Sequence, residues 1–557
     1  MPILEKIKEK LTKPKAEEQV GPLVTKAYNL FEEFLNAYAA EWERLDKNER
    51  MYIGDHWADV PMEDPNEPRP CTPVVHSCVE NVKADLTAAF PMATVTAEQP
   101  QFNDVATVVG EIIKQNHDAC SFKMEWRKMM HNFLVAGYCV AETGYDPYEN
   151  DGLGGAYTRS VNPRGIMFDP IAENIQECRA IFKFASKPKE WMEEQYPGVT
   201  FKADSYAEQM PRDEYLNKDV QKQIVLIEYW WREWDKTIGR HKVHMVKMAS
   251  RQILEDSRKE KPDGIYAHGK YPFTVRALFD RPNTMLGHGF PDVYGPVQLD
   301  ADKMDQIIMK NAVMASRNKM LVTGSSGFDI DDLRDWSKEV HRGENLNGVT
   351  WFPNPALPEY IYAYAEQKRT AIKEESGAND FSRGQTGGGV TAASAIAALQ
   401  EMASKRSGSA AQLLHEGYEE MVRMEIEIER EYNVLPREVH FTVDGEQKTA
   451  TFEQAMMFYN STAGEKLPIE FAISIKVQNE TKWSIMAHNE LVLQMVQLGV
   501  LQPQQAVEIM QFEGKEEILK KAASGQQIPP EMLAQQQMAQ ELQVMPTPES
   551  LLGGGTA

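Results

Sequence analysis

One unbroken run of helical periodicity constrains the fold of this chain more than any other feature. It begins at Thr391 and continues to about residue 435, with apolar or small residues mostly three or four positions apart. This stripe consists of Ile396, Leu399, Ala403, Ala410, Leu414, Gly417, Met421, Met424 and Ile428. A single helix of about 40 residues is roughly 60 Å long. A rod of that length usually crosses a whole assembly, and a chain of 557 residues has room for about three or four folding units.

Helical periods precede and follow this rod. The same three- and four-residue spacing predicts helices over 23–50, 74–90, 292–321 and 361–379, a helix pair over 104–135, and further helices over 484–523. The Lys/Glu-rich segment 1–22 is predicted to be a mobile arm. The Gln/Pro-rich segment 524–557 is predicted to be a disordered tail.

The period changes from helical to extended in the second quarter of the chain. Six segments bounded by Gly, Pro and charged turns are predicted as strands: 138–146, 161–169, 179–185, 224–233, 242–248 and 271–278. A weaker strand signal covers 437–480 and includes the alternating segment 471–477. Strands concentrated between long helices predict the α+β class.

The charge balance limits what the chain can bind. With 60 Lys and Arg against 83 Asp and Glu, the net charge is −23. A protein that binds phosphate backbones tightly needs a cluster of basic residues, so this charge balance argues against tight DNA binding but not against DNA that slides past.

The five cysteines form no CxxC pair or zinc pattern and indicate reduced intracellular thiols. We expect neither a signal peptide nor a membrane-spanning helix.

The segment Gly384–Thr391 resembles a phosphate-binding P-loop in spacing only. Val390 stands where the loop needs the lysine that neutralises the β- and γ-phosphates. The segment also follows a predicted helix, whereas a P-loop follows a strand. We therefore expect no nucleotide site, and instead a flexible glycine-rich loop in which Thr391 caps the next helix.

Other candidate catalytic or metal-binding patterns are incomplete. Asp329, Asp331 and Asp332 lack the glycine and closing glutamate of a calcium loop, and indicate a solvated turn or helix start. His241 and His244 are three apart on a predicted strand, so they face opposite sides. No Gly-x-Ser-x-Gly motif occurs. The sequence predicts no catalytic residue, no metal site and no cofactor.

Three groups of residues have alternative interpretations. Lys303, Lys310 and Arg317 recur every seven residues, either as an exposed face paired with acids of a neighbouring helix or as a basic stripe that touches DNA inside a ring. The tryptophans at 230, 231 and 234 indicate core and edge packing of a strand, or an inter-subunit contact. Six glutamates between 419 and 431 make the second half of the long helix acidic, and we expect that half to repel a passing polyanion.

Taken in order, several segments resemble the portal protein, the head-to-tail connector of tailed double-stranded DNA bacteriophages. The resemblance covers about 25–500 and depends on the order of the segments more than on any single motif. The segments are Met51–Trp57 with Thr72–Val75 and Asn81–Leu86; Val161–Pro170; Ile227–Trp234; Gly289–Asn311 with Gln298 near its start; and Gly377–Gly384 continuing to Thr391–Ile396.

The resemblance implies an α+β portal-like subunit with long stem and wing helices, a strand-rich wing, a small clip insert and a helical C-terminal crown. The implied parts are the wing (23–290), a descending stem helix (291–321), the clip (322–360), an ascending stem helix (361–379), the tunnel loop (380–390), the long wing helix (391–435) and a wing or crown region (436–523). In this mapping Arg383, Gln385 and Thr386 of the tunnel loop lie near DNA. Lys303, Lys310 and Arg317 of the stem would also line the channel.

The resemblance further implies a ring, typically a dodecamer, at one capsid vertex, through which DNA is packaged and ejected. Implied partners are the terminase large subunit, the tail adaptor, the major capsid and scaffold proteins, and transient double-stranded DNA, with no membrane. Portals have no catalytic site, and assembly in the host cytoplasm is expected. The alternatives are another phage head structural protein or an internal ejection protein, which would be largely helical, and a packaging ATPase or nuclease, for which the motifs are missing.

Overall fold

The computed structural model describes 21–62, 67–88, 90–202, 223–237, 239–316, 320–324, 327–331, 340, 342–344, 346–351, 357–377, 405–433, 435–443, 446–460, 466–477, and 489, 492–496, 498, 506 and 510. The chain divides into two compact units, Met1–Val477 and Gln478–Ala557. All the elements named below belong to the first unit. In the second unit, helical-turn hydrogen bonds join Leu498 N to Gln494 O and Met510 N to Ala506 O.

The described α-helices include seven of 14 residues or more, and they match most of the predicted helical segments. In chain order they are α1 (Pro22–Ile53), α2 (Val74–Ala88), α3 (Asn103–Ala119), α4 (Phe122–Val135), α5 (Glu149–Gly152), α6 (Lys189–Gln195), α7 (Ser257–Glu260), α8 (Phe290–Ser316), α9 (Glu359–Ser376) and α10 (Lys405–Tyr432).

The described strands form one five-stranded sheet, one three-stranded sheet and five two-stranded pairs. They are β1 (Pro91–Ala97), β2 (Tyr138–Asp146), β3 (Gly155–Val161), β4 (Ile166–Phe168), β5 (Ala180–Pro188), β6 (Gln223–Asp235), β7 (Arg240–Ala249), β8 (Gln252–Asp256), β9 (Phe273–Ala277), β10 (Phe279–Asp280), β11 (Gly287–His288), β12 (Met320–Val322), β13 (Val349–Trp351), β14 (Arg437–Val443), β15 (Glu446–Phe452), β16 (Phe458–Asn460), β17 (Lys466–Pro468) and β18 (Phe471–Val477). Helices and strands therefore both contribute extensively, and the predicted α+β class is confirmed.

The ends of α1 follow directly from its local sequence. Pro22 occupies the first turn, where its missing N–H costs nothing. Gly54 ends the helix in the left-handed conformation at φ 90°, which glycine adopts without a Cβ clash, and its N–H donates to Arg50 O. The predicted helix over 23–50 is confirmed and extends to Ile53.

The antiparallel sheet β4-β5-β6-β7-β8 packs its aromatic face against α1. The Phe31 and Phe34 rings both contact Phe182 of β5 edge-on, at 5.3 Å between centroids. Aromatic side chains bury large apolar areas, so this contact is a major source of stability for the joint between helix and sheet.

The prediction of one continuous strand over 161–169 is wrong, because a turn interrupts the segment. β3 ends at Val161, a 3-10 turn occupies Pro163–Gly165, and β4 covers Ile166–Phe168. Asn162 caps this turn by accepting the Arg164 N–H, and Pro163 cannot donate to a strand ladder. β3 and β4 consequently belong to different sheets.

The longest-range pairing joins β1 to β18. Pro91 pairs with Val477 and Ala97 pairs with Phe471, antiparallel. The alternating segment 471–477 is thus confirmed as a strand, whereas 91–97 was not predicted as one. None of the described helices combines the length and apolar character needed to cross a membrane.

Candidate functional site

The helices α8 and α9 form an antiparallel hairpin that is the candidate functional element. The Tyr294 hydroxyl near the start of α8 donates to Glu375 O near the end of α9, at 3.0 Å. Further along, Arg369 of α9 forms an ion pair with Asp305 of α8. The α9 residues Ala365 and Ile372 are buried.

The hairpin ends differ from the predicted stem boundaries. The predicted helix over 292–321 reaches too far, because Met320–Val322 is the strand β12 and pairs with β13. α9 ends at Ser376 because Gly377 adopts the left-handed conformation at φ 80°, three residues before the predicted end near 379.

A buried polar network joins the first half of α8 to the segment that follows α1. The His56 and Asp302 side chains have no solvent exposure, and His56 Nδ1 lies 2.5 Å from Asp302 Oδ2. Gln298 Nε2 donates to Asp302 Oδ1 at 2.9 Å. A buried polar group costs free energy unless it is hydrogen-bonded, so this network holds α8 in one position.

Gln298 also fixes the start of α2. Its Nε2 donates to Thr72 O at 2.8 Å, and its Oε1 accepts the Val74 N–H at 3.1 Å. The segments around residues 51–57, 72–75 and 298, which resemble portal sequences separately, therefore meet in one place. We call these contacts the junction network, comprising His56, Thr72, Val74, Gln298 and Asp302.

A second network anchors the first turn of α8. Asp292 accepts hydrogen bonds from Asn48 Nδ2 at 2.8 Å and from Gly289 N at 2.7 Å, and forms an ion pair with Arg44. An acid in the first turn also suits the positive end of the helix dipole. The α1 helix and the segment that follows it therefore contact α8 at two places, at Asp292 in its first turn and at Asp302 further along.

Glu41 completes this second network from α1. Its carboxylate accepts from Arg44 Nη2 at 2.5 Å and from Arg281 Nη1 at 2.7 Å. Burial raises the pKa of Glu41, but hydrogen bonds and charge from the two arginines outweigh burial and hold it below its ordinary value. Glu41 is therefore ionised in the folded protein at neutral pH.

Close backbone approach fixes where α8 begins. A Cβ added at Gly289 would lie 2.4 Å from Val135 O and 2.7 Å from Leu134 O. Gly137 has φ +90°, and a Cβ there would lie 2.3 Å from His288 C. Because both obstacles are backbone atoms, the end of α4 and the start of α8 can touch only through glycine.

The acidic half of α10 is not a free anionic surface. Glu425 and Glu429 are buried, and Glu429 accepts from Asn116 Nδ2 at 2.7 Å and from Ala156 N at 2.8 Å. Glu425 accepts a hydrogen bond from the Thr158 hydroxyl of β3, and its carboxylate also lies 3.0 Å from His117 Nε2 of α3. These two glutamates therefore hold α10 against the three-stranded sheet, and the repulsion of a polyanion by the acidic half of the helix stays a prediction.

The predicted channel residues are only partly described. Lys303 and Lys310 are exposed on α8, and Lys310 Nζ lies 3.3 Å from Glu67 Oε1 in the loop before α2. Arg317, Arg383, Gln385 and Thr386 lie outside the described residues. Their approach to DNA stays a prediction.

The remaining sequence candidates have structural roles. Trp230 and Trp231 of β6 are buried, while Trp234 is 58% exposed and its ring contacts His241. Asp329 Oδ1 accepts the Asp331 N–H, as in a turn that starts a helix. In the described part of the chain, no three His, Cys, Asp or Glu side chains form a group that could hold a metal ion.

Sequence reasoning assigned no role to the residues that build the two networks, although His56, Thr72, Val74, Asp292, Gln298 and Asp302 lie within the segments that resemble portal sequences. A signal was available: Glu41 and Asn48 occupy positions on the apolar face of α1, and both are buried. Gln298 and Asp302 likewise occupy one face of α8, four residues apart. Polar residues on a buried helix face generally need hydrogen-bond partners, but the sequence does not name those partners.

Residues 28–277 match the family model of the Phage P22-like portal protein. The match runs from α1 to β9 and contains the resembling segments up to Ile227–Trp234, but it ends before α8. The resemblance to a phage portal protein is confirmed. A search of curated proteins found no matching relative.

Proposed function

We propose that this chain is a phage portal protein that forms a ring at one capsid vertex and channels DNA during packaging and ejection, and the match of residues 28–277 to the P22-like portal family model supports this. The observation that carries this proposal beyond the matched region is the α8–α9 hairpin. The first half of α8 is bonded to the matched region by two polar networks, through the contacts of Asp302 with His56 and of Asp292 with Asn48.

The exposed surface of the hairpin supports assembly. Apolar side chains with 41–70% exposure cluster on its distal half: Ile307, Met309, Val313, Met314, Tyr360, Tyr362 and Tyr364. The exposure of clustered apolar side chains to water is unfavourable, and such surface patches generally mark sites of protein–protein contact. A ring of identical subunits buries them through closed heterologous interfaces.

We assign the parts of the subunit as the portal resemblance implies. The wing is 23–290, the two stem segments are 291–321 and 361–379 and contain most of α8 and α9, and the clip is 322–360. The tunnel loop is 380–390, and the regions beyond are the long wing helix 391–435 and the wing or crown 436–523. The pairing of β12 with β13 supports a folded insert between the two stem helices.

The proposed partners follow from this assignment. The clip would dock the terminase large subunit during packaging and the tail adaptor afterwards, while the outer surface would meet capsid and scaffold proteins. DNA would pass transiently, with Arg383, Gln385 and Thr386 nearest to it. The net charge of −23 supports weak, salt-screened contacts that let DNA move.

Light scattering coupled to size exclusion, followed by negative-stain imaging of the full chain, tests the proposal. We expect a ring of about twelve subunits with an axial hole. A chain that stays monomeric at high concentration, both alone and with scaffold protein, would contradict the proposed function.

A further inference from the structure

The α8–α9 hairpin carries two exposed stripes whose chemistry is complementary. The α8 stripe consists of Lys303, Ile307, Lys310 and Met314, at steps of four, three and four residues. The α9 stripe consists of Tyr362, Glu366, Thr370 and Glu374, at steps of four. Lys310 is 59% exposed and Glu366 is 65% exposed. One stripe is basic and apolar, and the other is acidic with an aromatic end.

The α8 stripe faces away from α9, and most of the α9 stripe turns away from α8. Ala301 is buried and Asp305 contacts Arg369 of α9, so these α8 residues mark the side that faces α9. At about 100° per residue, Lys303 and Ile307 lie on the opposite side of α8. The α9 stripe turns progressively away from the buried Ala365: at about 100° per residue, Glu366 lies about 100° and Glu374 about 180° around the helix from it, while Tyr362 lies nearer to the side that faces α8. The α8 stripe therefore cannot contact the α9 stripe of the same chain.

The stripes lie at matching heights along the hairpin. The Asp305–Arg369 contact sets the level of the two antiparallel helices. Counting from it at 1.5 Å per residue places Lys310 within about 3 Å of the level of Glu366. The same count places Lys303 within about 5 Å of the level of Glu374. Rotation about an axis along the hairpin preserves these heights.

We infer that the α8 stripe of one copy packs against the α9 stripe of the next copy in the ring. This inference rests on the proposed function. The pairs are Lys310 with Glu366, Lys303 with Glu374, Met314 with Tyr362, and Ile307 with Thr370. Opposite charges at matched heights set the register of such a contact, and a methionine sulfur packs favourably on an aromatic ring.

The contacts within one chain leave room for these pairs. Lys310 lies 3.3 Å from Glu67 and Glu366 lies 3.3 Å from Arg369, yet both stripe residues keep most of their surface exposed. An ammonium group has three donors and a carboxylate has two acceptor oxygens, so each can bond a second partner. In this arrangement Lys303 and Lys310 pair with acids of a neighbouring subunit. Of the two interpretations of these lysines, this favours an exposed face paired with acids of a neighbouring helix over a basic stripe that touches DNA.

A two-cysteine variant tests the interface directly. In Met314→Cys/Tyr362→Cys, each chain presents one thiol to each neighbour, so mild oxidation yields a covalent ladder that extends to the full ring. A mixture of the two single variants yields covalent dimers only, because a heterologous interface joins the α8 thiol of one copy to the α9 thiol of the next. The matched control is Met309→Cys/Tyr362→Cys, since Met309 is equally exposed but lies on another side of α8.

A charge exchange tests the same contact without disulfides. We expect Lys310→Glu and Glu366→Lys each to raise the chain concentration needed for half-assembly by about fivefold, and the double variant to restore it within about twofold. If the wild-type chain forms a ring but Met314→Cys/Tyr362→Cys gives no covalent ladder, or the Met309 control gives an equal one, the interface is overturned and the proposed function stays intact. A wild-type chain that forms no ring overturns both.

Discussion

At the scale of single residues, Gly289 illustrates how one missing Cβ positions a helix. Gly289→Ala would place a methyl group against the carbonyl oxygens of Val135 and Leu134, which are backbone atoms. We expect a loss of about 2–4 kcal/mol in the free energy of unfolding, because the start of α8 must shift. Urea unfolding of the unassembled subunit measures this loss.

Gly295→Ala is the matched control for that prediction. Gly295 lies within α8, and the three atoms nearest to an added Cβ belong to the Met51 side chain, at 3.5 Å or more. Alanine favours a helix interior over glycine, so we expect no loss, and a gain of up to about 1 kcal/mol. Equal losses at positions 289 and 295 would refute the steric argument.

Glu41 makes stability depend on pH in one direction. The pKa of Glu41 in the folded chain lies below its ordinary value of 4.5. The carboxylate therefore contributes to the free energy of unfolding above pH 4.5, and this contribution is lost as the pH falls through the lowered pKa. We expect Glu41→Gln to cost about 2–3 kcal/mol at pH 7. This difference from wild type should shrink in acid.

Unfolding curves of both proteins between neutral and acidic pH measure this effect. Glu43→Gln is the control, since Glu43 lies on the same helix and its contact is an exposed i,i+4 pair with Lys47. We expect that variant to change stability by less than about 0.5 kcal/mol. A Glu41→Gln penalty that persists unchanged below the lowered pKa would contradict the ion-pair explanation.

At the scale of elements, the junction network determines how firmly α8 is held. Asp302→Asn removes the charge that His56 contacts, and both side chains are fully buried. We expect a loss of about 3 kcal/mol, with faster amide exchange in the first turns of α8 than in the five-stranded sheet. Hydrogen exchange resolved by peptide measures both regions in one experiment.

Asp300→Asn provides the comparison for that variant. Asp300 lies two residues earlier on α8 and is exposed, so the same chemical change should leave exchange in α8 unaltered. If Asp302→Asn accelerated exchange uniformly across the first unit, the network would contribute to global stability and not specifically to the position of α8.

At the scale of the whole molecule, the tunnel loop carries the proposed contact with DNA. We expect Arg383→Ala to leave ring assembly intact and to alter DNA packaging or retention, because the loop would lose its basic group nearest to the phosphates. Packaged DNA length and head stability against heat measure the effect. Arg423→Ala is the control, since Arg423 is an exposed arginine of α10 paired with Glu419. Unchanged packaged length and head stability in Arg383→Ala would refute the role.

The sequence by itself determined the long elements of this protein. Helical spacing and punctuation by Pro and Gly depend on neighbours a few residues away, so both ends of α1 and α9 and the start of α8 were predicted to within three residues. Short alternating segments located most of the sheet strands in the same way. The order of the resembling segments indicated a resemblance to phage portal proteins, and the match of residues 28–277 to the P22-like portal family model confirms that resemblance.

Only the tertiary structure decided which distant residues meet. β1 is a strand because β18, far along the chain, supplies its partner, and a strand of seven residues has little stability alone. Glu41, Glu429 and Asp302 are acids that sequence patterning places among exposed charges or leaves unassigned. They are buried because arginine, amide and imidazole groups from other elements offset the cost of removing each charge from water. That compensation depends on three-dimensional proximity, which periodicity along the chain does not contain.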